Sequence, residues 1–173
     1  TMPPPMMMVW FRMREVRSPM LPVSDPAKVT AARRTTMSIQ LGIIGSGGIG
    51  EVHAQAAHDA GHPARVLCDR DEARATALAA SWNAEVETDV DALLARTEVE
   101  AVVVALPNCL HAPLACAALD AGKHVLLEKP MAMSVAECEE VIAARDRGST
   151  LLQVGFVCRF AATVQAARRF IEG

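Results

Sequence analysis

The sequence predicts an α/β protein: a doubly wound parallel sheet in a single domain, preceded by a disordered N-terminal extension. From residue 39 onward, short apolar runs alternate with longer helix-favouring segments, as in sheets whose strands are joined by crossover helices. One run, "AVVVAL" at 101–106, is apolar throughout, which is typical of a strand buried on both faces. Residues 1–36, by contrast, contain six of the ten prolines and follow neither a helical nor a strand period.

The N-terminal extension and the body of the chain differ in charge. Residues 1–36 contain six Lys or Arg and two Asp or Glu, a net +4, so the total of −3 leaves −7 for residues 37–173. An acidic body with 3% aromatic residues is unlike a nucleic-acid-binding protein. We expect Met37 to be the natural start, which peptide mapping of the native protein would test. An organellar transit peptide, which is also rich in Arg and poor in acids, is the alternative.

Composition also disfavours several kinds of site and location. No uninterrupted apolar run reaches the ~18 residues that a membrane span needs. The five cysteines are odd in number and contain no C-x-x-C pair, which argues against a disulfide framework and a structural zinc site. We therefore expect reduced cysteines, no metal, no membrane or nucleic-acid partner, and a cytoplasmic location.

Strands and helices are predicted in strict alternation. Five apolar runs predict strands at 39–44, 65–69, 101–106, 124–128 and 150–156, and "AEVET" at 84–88 is a weaker sixth candidate. Helices are predicted over 49–60, 71–82, 89–96, 110–121 and 134–147. Gly61, Gly122 and Gly148 stand where three of these helices end, and glycine favours the left-handed conformation that closes a helix. Ser134 and Glu137 form a capping-box pattern at the start of the last helix.

The turn after the first strand is rich in glycine. Gly45-Ser46-Gly47-Gly48-Ile49-Gly50 contains G-x-G-x-x-G, between a predicted strand and a predicted helix. In a dinucleotide loop the first glycine allows the tight turn, the second lets the backbone approach a pyrophosphate, and the third lets the helix pack closely. The start of that helix offers free N–H groups and the positive end of its dipole to phosphates. The segment 45–50 therefore predicts a phosphate-binding loop.

An acidic residue strengthens this interpretation. Asp69 ends the second strand 19 residues after Gly50, where a carboxylate accepts hydrogen bonds from the ribose of a dinucleotide. The carboxylate would repel a 2′-phosphate, so NAD is favoured as the cofactor. Arg70 can pair with a 2′-phosphate or stack on adenine, which leaves NADP as the alternative. An S-adenosylmethionine site has a similar loop and acid and is the nearest competing interpretation.

The segment "ALPNCLHAPLACAALDAGKHVLLEKPMAMSVAECEEVI", residues 105–142, contains P-N-x-x-H, a helix, G-K-H-V and E-K-P in that order. With the glycine loop, Asp69 and "VGFVCRF", it resembles the Gfo/Idh/MocA oxidoreductases across residues 39–173. The resemblance implies a Rossmann fold that binds NAD or NADP. It also implies hydride transfer to or from a hydroxyl or carbonyl group of a sugar, cyclitol or similar small-molecule substrate.

The E-K-P motif of this family corresponds to Glu128, Lys129 and Pro130. By the resemblance, Lys129 is the active-site lysine that holds the reacting oxygen and helps to move its proton, while Glu128 and Pro130 shape the nicotinamide pocket. An ammonium group beside a bound hydroxyl stabilises a developing alkoxide. A proline at 130 also restricts Lys129 to extended conformations.

By the same resemblance, the loop after the predicted strand at 101–106 supplies further cofactor residues. Leu106, Pro107 and Asn108 match the family's loop along the cofactor, and His111 matches its histidine at the start of the next helix. Arg159 and Phe160 resemble a pair near the substrate entrance. Two other histidines are not assigned to the site: His53, which lies one turn into the first helix, and His124, which we expect to be structural.

The family normally has a second domain that supplies most of the substrate pocket, a histidine beside the lysine and much of the oligomer interface. We assign residues 1–37 to the extension, 38–158 to the cofactor domain and 159–173 to the start of that second domain, which we expect to be truncated here. The expected function is thus the cofactor-binding half of a dehydrogenase. The alternative is a catalytically inactive dinucleotide-binding module or one partner of a split enzyme.

Overall fold

The computed structural model describes residues 38–172, so the predictions made for residues 1–37 lie outside the described residues. Strands and helices alternate along the described chain, and two short 3-10 turns, Asn108–Leu110 and Val157–Phe160, follow the fourth and sixth strands. The strands are β1 (Leu41–Ile44), β2 (Ala64–Cys68), β3 (Glu85–Glu87), β4 (Ala101–Val104), β5 (His124–Leu127) and β6 (Leu152–Val154). The α-helices are α1 (Gly48–Asp59), α2 (Glu72–Trp82), α3 (Val90–Ala95), α4 (His111–Asp120), α5 (Val135–Arg147) and α6 (Ala162–Glu172).

The six strands form one sheet in the order β3-β2-β1-β4-β5-β6, and every neighbouring pair is parallel. The predicted doubly wound parallel sheet is therefore confirmed. The chain runs outward from β1 to β3, crosses the sheet, and runs outward again from β4 to β6. Ligands of such sheets bind at the carboxyl ends of the strands where this order reverses, which here lies between β1 and β4.

All six predicted strands and all five predicted helices are present, and the weak candidate at 84–88 is the short edge strand β3. Helix α6 was not predicted, because residues 159–173 were assigned to the start of a second domain. Its sequence, "ATVQAARRFIE", nevertheless places Val164, Ala167 and Ile171 on one side at helical spacing.

The predicted helix ends are confirmed at two of three glycines. Gly61 and Gly122 have φ of 84° and 76°, whereas Gly148 has φ −115° and ψ −172°, so the left-handed ending predicted there is wrong. The chain at Gly148 is already extended as it leads towards β6. At the start of α5, Ser134 Oγ accepts from Glu137 N (3.2 Å), and the Glu137 carboxylate accepts from the preceding Met133 N (2.8 Å).

The two faces of the sheet are covered differently. Helices α3, α4 and α5 cover one face, here called the closed face, where Leu93, Leu119 and Val141 pack on Val102, Val104 and Leu127. Helices α1 and α2 lie on the other, the open face, where Ala54 and Leu78 pack on Ile43, Leu67 and Val103. On the open face, β5 and β6 border a groove of about 400 Å³ whose lining includes His124, Leu126, Leu151 and Gln153.

Candidate functional site

The glycine loop links β1 to α1 at the carboxyl edge of the sheet, and its two outer glycines are required by close contacts. Gly45 has φ 104°, and a Cβ there would lie 2.3 Å from the Ala105 carbonyl oxygen at the end of β4. A Cβ on Gly50 would lie 1.9 Å from the carbonyl oxygen of Gly45. The third glycine thus allows α1 to pack closely on the loop, and it also faces the sheet, since the same Cβ would lie 3.8 Å from Ile43 Cγ2.

The middle of the loop faces open space. A Cβ built on Gly47 or Gly48 would meet no protein atom within 4 Å, and the Ile49 side chain is half exposed. Gly47 is the N-cap residue of α1 and has no side chain that could cap it, so the first-turn N–H groups of the helix point outward without intrahelical partners. Ser46 Oγ is buried and has no hydrogen-bond partner among the described residues. The loop therefore fits a phosphate-bearing ligand at the start of α1.

Asp69 joins this loop to the turn after β2. It is 7% exposed, and its Oδ2 accepts from Ser46 N (2.8 Å) while Oδ1 accepts from Asp71 N (3.0 Å). A carboxylate has lone pairs left after two such bonds, so Asp69 can also accept from a hydroxyl. Arg70, the next residue, is exposed. Arg74 was not predicted as a site residue, and its Nη1 lies 3.8 Å from Asp69 Oδ2.

Acidic groups dominate the carboxyl ends of β2 and β3. Burial first, and then the negative charges of Glu87, Asp69 and Asp89, raise the pKa of the Cys68 thiol to about 12. Both neighbouring strand ends therefore present negative charge to this corner of the site. A dianionic 2′-phosphate would have to overcome that charge, whereas ribose hydroxyls can donate to it.

The loop after β4 is tied to the loop after β5 by His111. The ring of His111 is 1% exposed, with Nδ1 2.6 Å from the Pro130 carbonyl oxygen and Nε2 2.8 Å from the Leu106 carbonyl oxygen. A neutral ring donates to one of these oxygens, and an imidazolium donates to both. Pro107 and Asn108, in contrast, form the start of the turn that leads into α4.

Residues of the E-K-P motif follow β5 directly. Glu128 Oε1 lies 3.0 Å from His53 Nε2, and its Oε2 accepts from Lys129 N (3.0 Å). The Lys129 side chain is exposed, and the peptide bond between Lys129 and Pro130 is cis. Arg159 and Phe160 lie in the turn after β6 and are exposed.

The structure thus brings together most of the residues singled out from the sequence. Leu106 lies beside Gly45, since its Cδ2 is 3.1 Å from a Cβ built there, and Asp69 bonds to the loop through Ser46. Glu128 reaches α1 through His53, which sequence reasoning left out of the site. One signal could have identified His53: it lies three residues after Gly50, on the same side of α1 as the glycine that faces the sheet.

Two kinds of site are not found in the part of the chain that the structure describes. Residues 38–172 contain no group of three or more His, Cys, Asp or Glu arranged to hold a metal ion. None of the helices within that range is long and apolar enough to cross a membrane. The five cysteines are free.

Comparison with known proteins identifies the family of this chain. Residues 39–156 match the profile of the Gfo/Idh/MocA family, described as an oxidoreductase family with an NAD-binding Rossmann fold. Among curated relatives, inositol 2-dehydrogenase 1 of Saccharopolyspora erythraea is 37% identical over 129 residues, which are 72% of this chain and 38% of that protein. An inositol 2-dehydrogenase of Rubrobacter xylanophilus is 40% identical over 125 residues, 70% of this chain and 36% of that protein.

Solved structures with the same fold include two complexes with the nicotinamide cofactor. Myo-inositol dehydrogenase from Lactobacillus casei, in complex with NAD(H) and myo-inositol, superposes with a TM-score of 0.74 at 26% identity, over 79% of this chain and 42% of that one. GenD2 from gentamicin A biosynthesis, in complex with NAD, gives a TM-score of 0.67 at 34% identity, over 69% of this chain and 35% of that one. The chain spans less than half the length of each of these relatives.

Proposed function

The chain belongs to the Gfo/Idh/MocA oxidoreductase family, and from that premise we propose that it is the NAD-binding part of a dehydrogenase acting on a sugar or cyclitol. One observation carries the proposal: the open glycine loop at the start of α1 and the exposed Lys129 lie at the same carboxyl edge, linked through His53 and Glu128. The inositol dehydrogenases among its relatives support a polyhydroxylated substrate.

The glycine loop would hold the pyrophosphate of NAD. Gly47, Gly48, Ile49 and Gly50 contribute backbone N–H groups at a helix N-terminus, where the helix dipole favours negative charge. The absence of side chains at 47 and 48 leaves the space that a phosphate group needs. Gly45 and Gly50 also allow the close contacts that give the loop its shape.

Asp69 would bind the adenosine ribose by accepting from its hydroxyl groups, and Arg70 would lie along the adenine. The acidic ends of β2 and β3 support NAD over NADP at this corner. Leu106, Pro107, Asn108, Glu128 and Pro130 would form the wall of the cofactor site after β4 and β5, where His111 joins the two loops. Arg159 and Phe160 would lie towards the substrate.

Lys129 would act on the reacting oxygen of the substrate. When bound, NAD accepts or supplies a hydride. The Lys129 side chain would hydrogen-bond to the substrate oxygen: in oxidation its neutral amine would accept the hydroxyl proton, and in reduction its ammonium would stabilise the developing negative charge and donate the proton. The side chain is exposed at the carboxyl edge of the sheet and can therefore reach a substrate that lies outside the strands.

The first test is cofactor binding followed by turnover. We expect NADH to bind with enhanced nicotinamide fluorescence and to bind more tightly than NADPH. A panel of sugars and cyclitols, assayed for NAD reduction, would identify the substrate class. Where turnover is found, Lys129→Ala should lower kcat by about 10²–10⁴-fold, the usual contribution of a proton-transferring group.

Lys129→Arg is the matched control for charge. Arginine keeps the positive charge but does not release a proton near neutral pH, so this variant should recover substrate binding without recovering kcat. Turnover by Lys129→Ala at the native rate would overturn the assignment of Lys129. Equal affinity for NADPH and NADH would overturn the preference for NAD.

A second candidate function is a dinucleotide-binding module that works with another chain, either as a sensor or as one partner of a split enzyme. The observation that favours it is the exposed apolar side of α6, on which Phe170 and Ile171 are 89% and 81% exposed. Binding of NADH without turnover of any sugar or cyclitol would favour this function over a self-sufficient enzyme.

A further inference from the structure

We propose that His53 and His111 are positioning residues that hold the main chain on either side of Lys129 and so orient that lysine towards the cofactor. The inference rests on the proposed function, because it assumes that NADH binds at this edge. His53 belongs to α1 on the open face and His111 to α4 on the closed face, so the two histidines approach the E-K-P motif from opposite sides of the sheet.

The contact of His53 holds the residue before Lys129. Its Nε2 lies 3.0 Å from Glu128 Oε1, and the two side chains are only 15% and 13% exposed. Either the Nε2–H tautomer or the imidazolium can donate this hydrogen bond. The other Glu128 oxygen accepts from Lys129 N, so the same carboxylate binds the histidine and the backbone of the lysine.

Gly155 closes the third side of this carboxylate. A Cβ built on Gly155, just after β6, would lie 3.1 Å from Glu128 Oε1 and 3.4 Å from its Cδ. Gly155 N also donates to the Leu127 carbonyl oxygen (2.8 Å), which keeps the two strand ends together. Glu128 is therefore confined by α1, by the end of β6 and by its own backbone.

The contact of His111 holds the residue after Lys129. Its Nδ1 is 2.6 Å from the Pro130 carbonyl oxygen, and its Nε2 is 2.8 Å from the Leu106 carbonyl oxygen. Because the ring is almost fully buried, a hydrogen bond from it to either oxygen is shielded from competition with water. The backbone of Lys129 is thus anchored at both neighbouring residues, while its side chain stays exposed.

These contacts connect Lys129 to both cofactor loops. Helix α1 starts within the glycine loop, and α4 starts at the end of the Pro107-Asn108 turn. The packing of these two helices therefore fixes the orientation of the Lys129 backbone. A catalytic group that is held in its reactive orientation lowers the reaction barrier more than a mobile one does. The remaining described histidines act elsewhere: the His58 ring centroid lies 5.2 Å from that of Trp82, His62 Nδ1 accepts from Ile39 N, and His124 Nδ1 accepts from Leu151 N.

The experiment measures how well NADH shields Lys129. The 173-residue chain is treated with acetic anhydride with and without saturating NADH, and acetylation at Lys129 is followed by peptide mass spectrometry. The protection factor is the ratio of the two rates, and NADH affinity is measured in parallel by nicotinamide fluorescence. The variants are His53→Gln, Glu128→Gln, the double variant, and His111→Gln. The control is His58→Gln, an exposed histidine five residues further along α1.

We expect the native chain and His58→Gln to show the same protection of Lys129. His53→Gln, Glu128→Gln and the double variant should each lower the protection factor about fivefold or more, and by similar amounts. All three remove the same imidazole–carboxylate contact, and a shift of about 1 Å is enough to lose positioning. His111→Gln should lose protection as well. If that buried substitution prevents folding, the His53 and Glu128 variants alone decide the test.

The outcomes separate the two proposals. A native chain that binds no NADH overturns the proposed function, and this inference with it. A native chain that binds NADH and protects Lys129 equally well with and without His53 and Glu128 overturns the positioning role alone. Losses that add up in the double variant overturn the His53–Glu128 contact as their common cause.

Discussion

The closed and open faces of the sheet are built from the same strands but are completed differently. On the closed face, three helices cover β1, β2, β4 and β5, and most of the apolar residues between them are buried. On the open face, α1 and α2 cover β1 and β2, while β5 and β6 border a groove. The difference is visible within one strand: Leu127 on the closed face is fully buried, and its neighbour Leu126 on the open face is partly exposed.

This asymmetry shows which apolar surfaces of the sheet are covered by helices of this chain and which are left uncovered. The closed face is a finished core, so its residues should determine stability. The open face has apolar surface left over at the groove, and α6 has more at Phe170 and Ile171. The candidate site lies where helices from both faces meet the carboxyl edge, and each face contributes one histidine to the E-K-P motif.

The largest effect is expected from truncating the closed face. Leu127→Ala should lower the free energy of unfolding by about 2–5 kcal/mol, because it removes a fully buried side chain and leaves a cavity. Leu126→Ala, one residue earlier, should cost no more than about 1.5 kcal/mol, since that side chain is only partly buried. Urea denaturation measures both, and equal losses would mean that the two faces are equally complete.

The second prediction concerns the seating of α1 on the open face. Gly50→Ala should cost about 1–3 kcal/mol and abolish NADH binding, because the new methyl group overlaps the Gly45 carbonyl oxygen. Gly47→Ala should leave the free energy of unfolding within about 0.5 kcal/mol of the native value. It should nevertheless weaken NADH binding about tenfold or more by occupying the space of the phosphate. Unchanged NADH affinity in Gly47→Ala would contradict the loop assignment.

The third prediction uses the buried thiol of the closed face. Burial raises the pKa of Cys68 to about 12, above that of a free thiol near 9. The protonated thiol therefore favours the folded state fully below pH 9, and this stabilisation is lost as the pH rises towards 12, by at most about 1.4 kcal/mol per pH unit. Urea denaturation from pH 8 to 11 should show a shallower decline for Cys68→Ala than for the native chain.

Exposed cysteines provide the control for that thiol. Cys109 and Cys158 are exposed, so both should react rapidly with a thiol reagent at pH 8, while Cys68 should react only when the protein unfolds. Burial also raises the pKa of Cys116 and Cys138, which should react at intermediate rates. Fast labelling of Cys68 in the folded protein would refute its place in the closed core.

The smallest effect on stability is expected on α6. Phe170→Ser with Ile171→Ser should change the free energy of unfolding by less than about 0.5 kcal/mol, because both side chains are already exposed. The double variant should bind less of a hydrophobic dye and self-associate less than the native chain. Arg169→Gln, an exposed position turned away from both side chains on α6, is the control. A large loss of stability would mean that α6 packs against the rest of the fold.

The sequence predicted most of the fold because its signals are local. The alternation of apolar runs and helix-favouring segments identified six strands and five helices. The positive φ at Gly61 and Gly122 was predicted because glycine commonly ends a helix in the left-handed conformation. The left-handed conformation predicted for Gly148 was wrong because glycine is also found where a chain leaves a helix in an extended conformation. Helix α6 was missed because the resemblance assigns residues 159–173 to a second domain, for which no elements were predicted.

The sequence motifs identified most residues of the candidate site, but they did not predict which of those residues contact one another. Asp69 and the glycine loop could be paired from their spacing, since both follow neighbouring strands. The contact between His53 and Glu128 joins residues 75 positions apart, and no local pattern encodes it. Arg74 near Asp69 was likewise missed, because an arginine on a helix is usually a solvated charge.

By itself, the sequence determined the order of elements, the doubly wound topology and the residues that stand at the carboxyl ends of the strands. These follow from periodicity and from the conformations that glycine and proline allow, which act over a few residues. The tertiary structure decided which of those residues touch: α1 and α4 had to pack on opposite faces before His53 and His111 could reach the E-K-P motif. It also decided that one face is complete and the other open, because coverage depends on where each helix lies after the chain crosses the sheet.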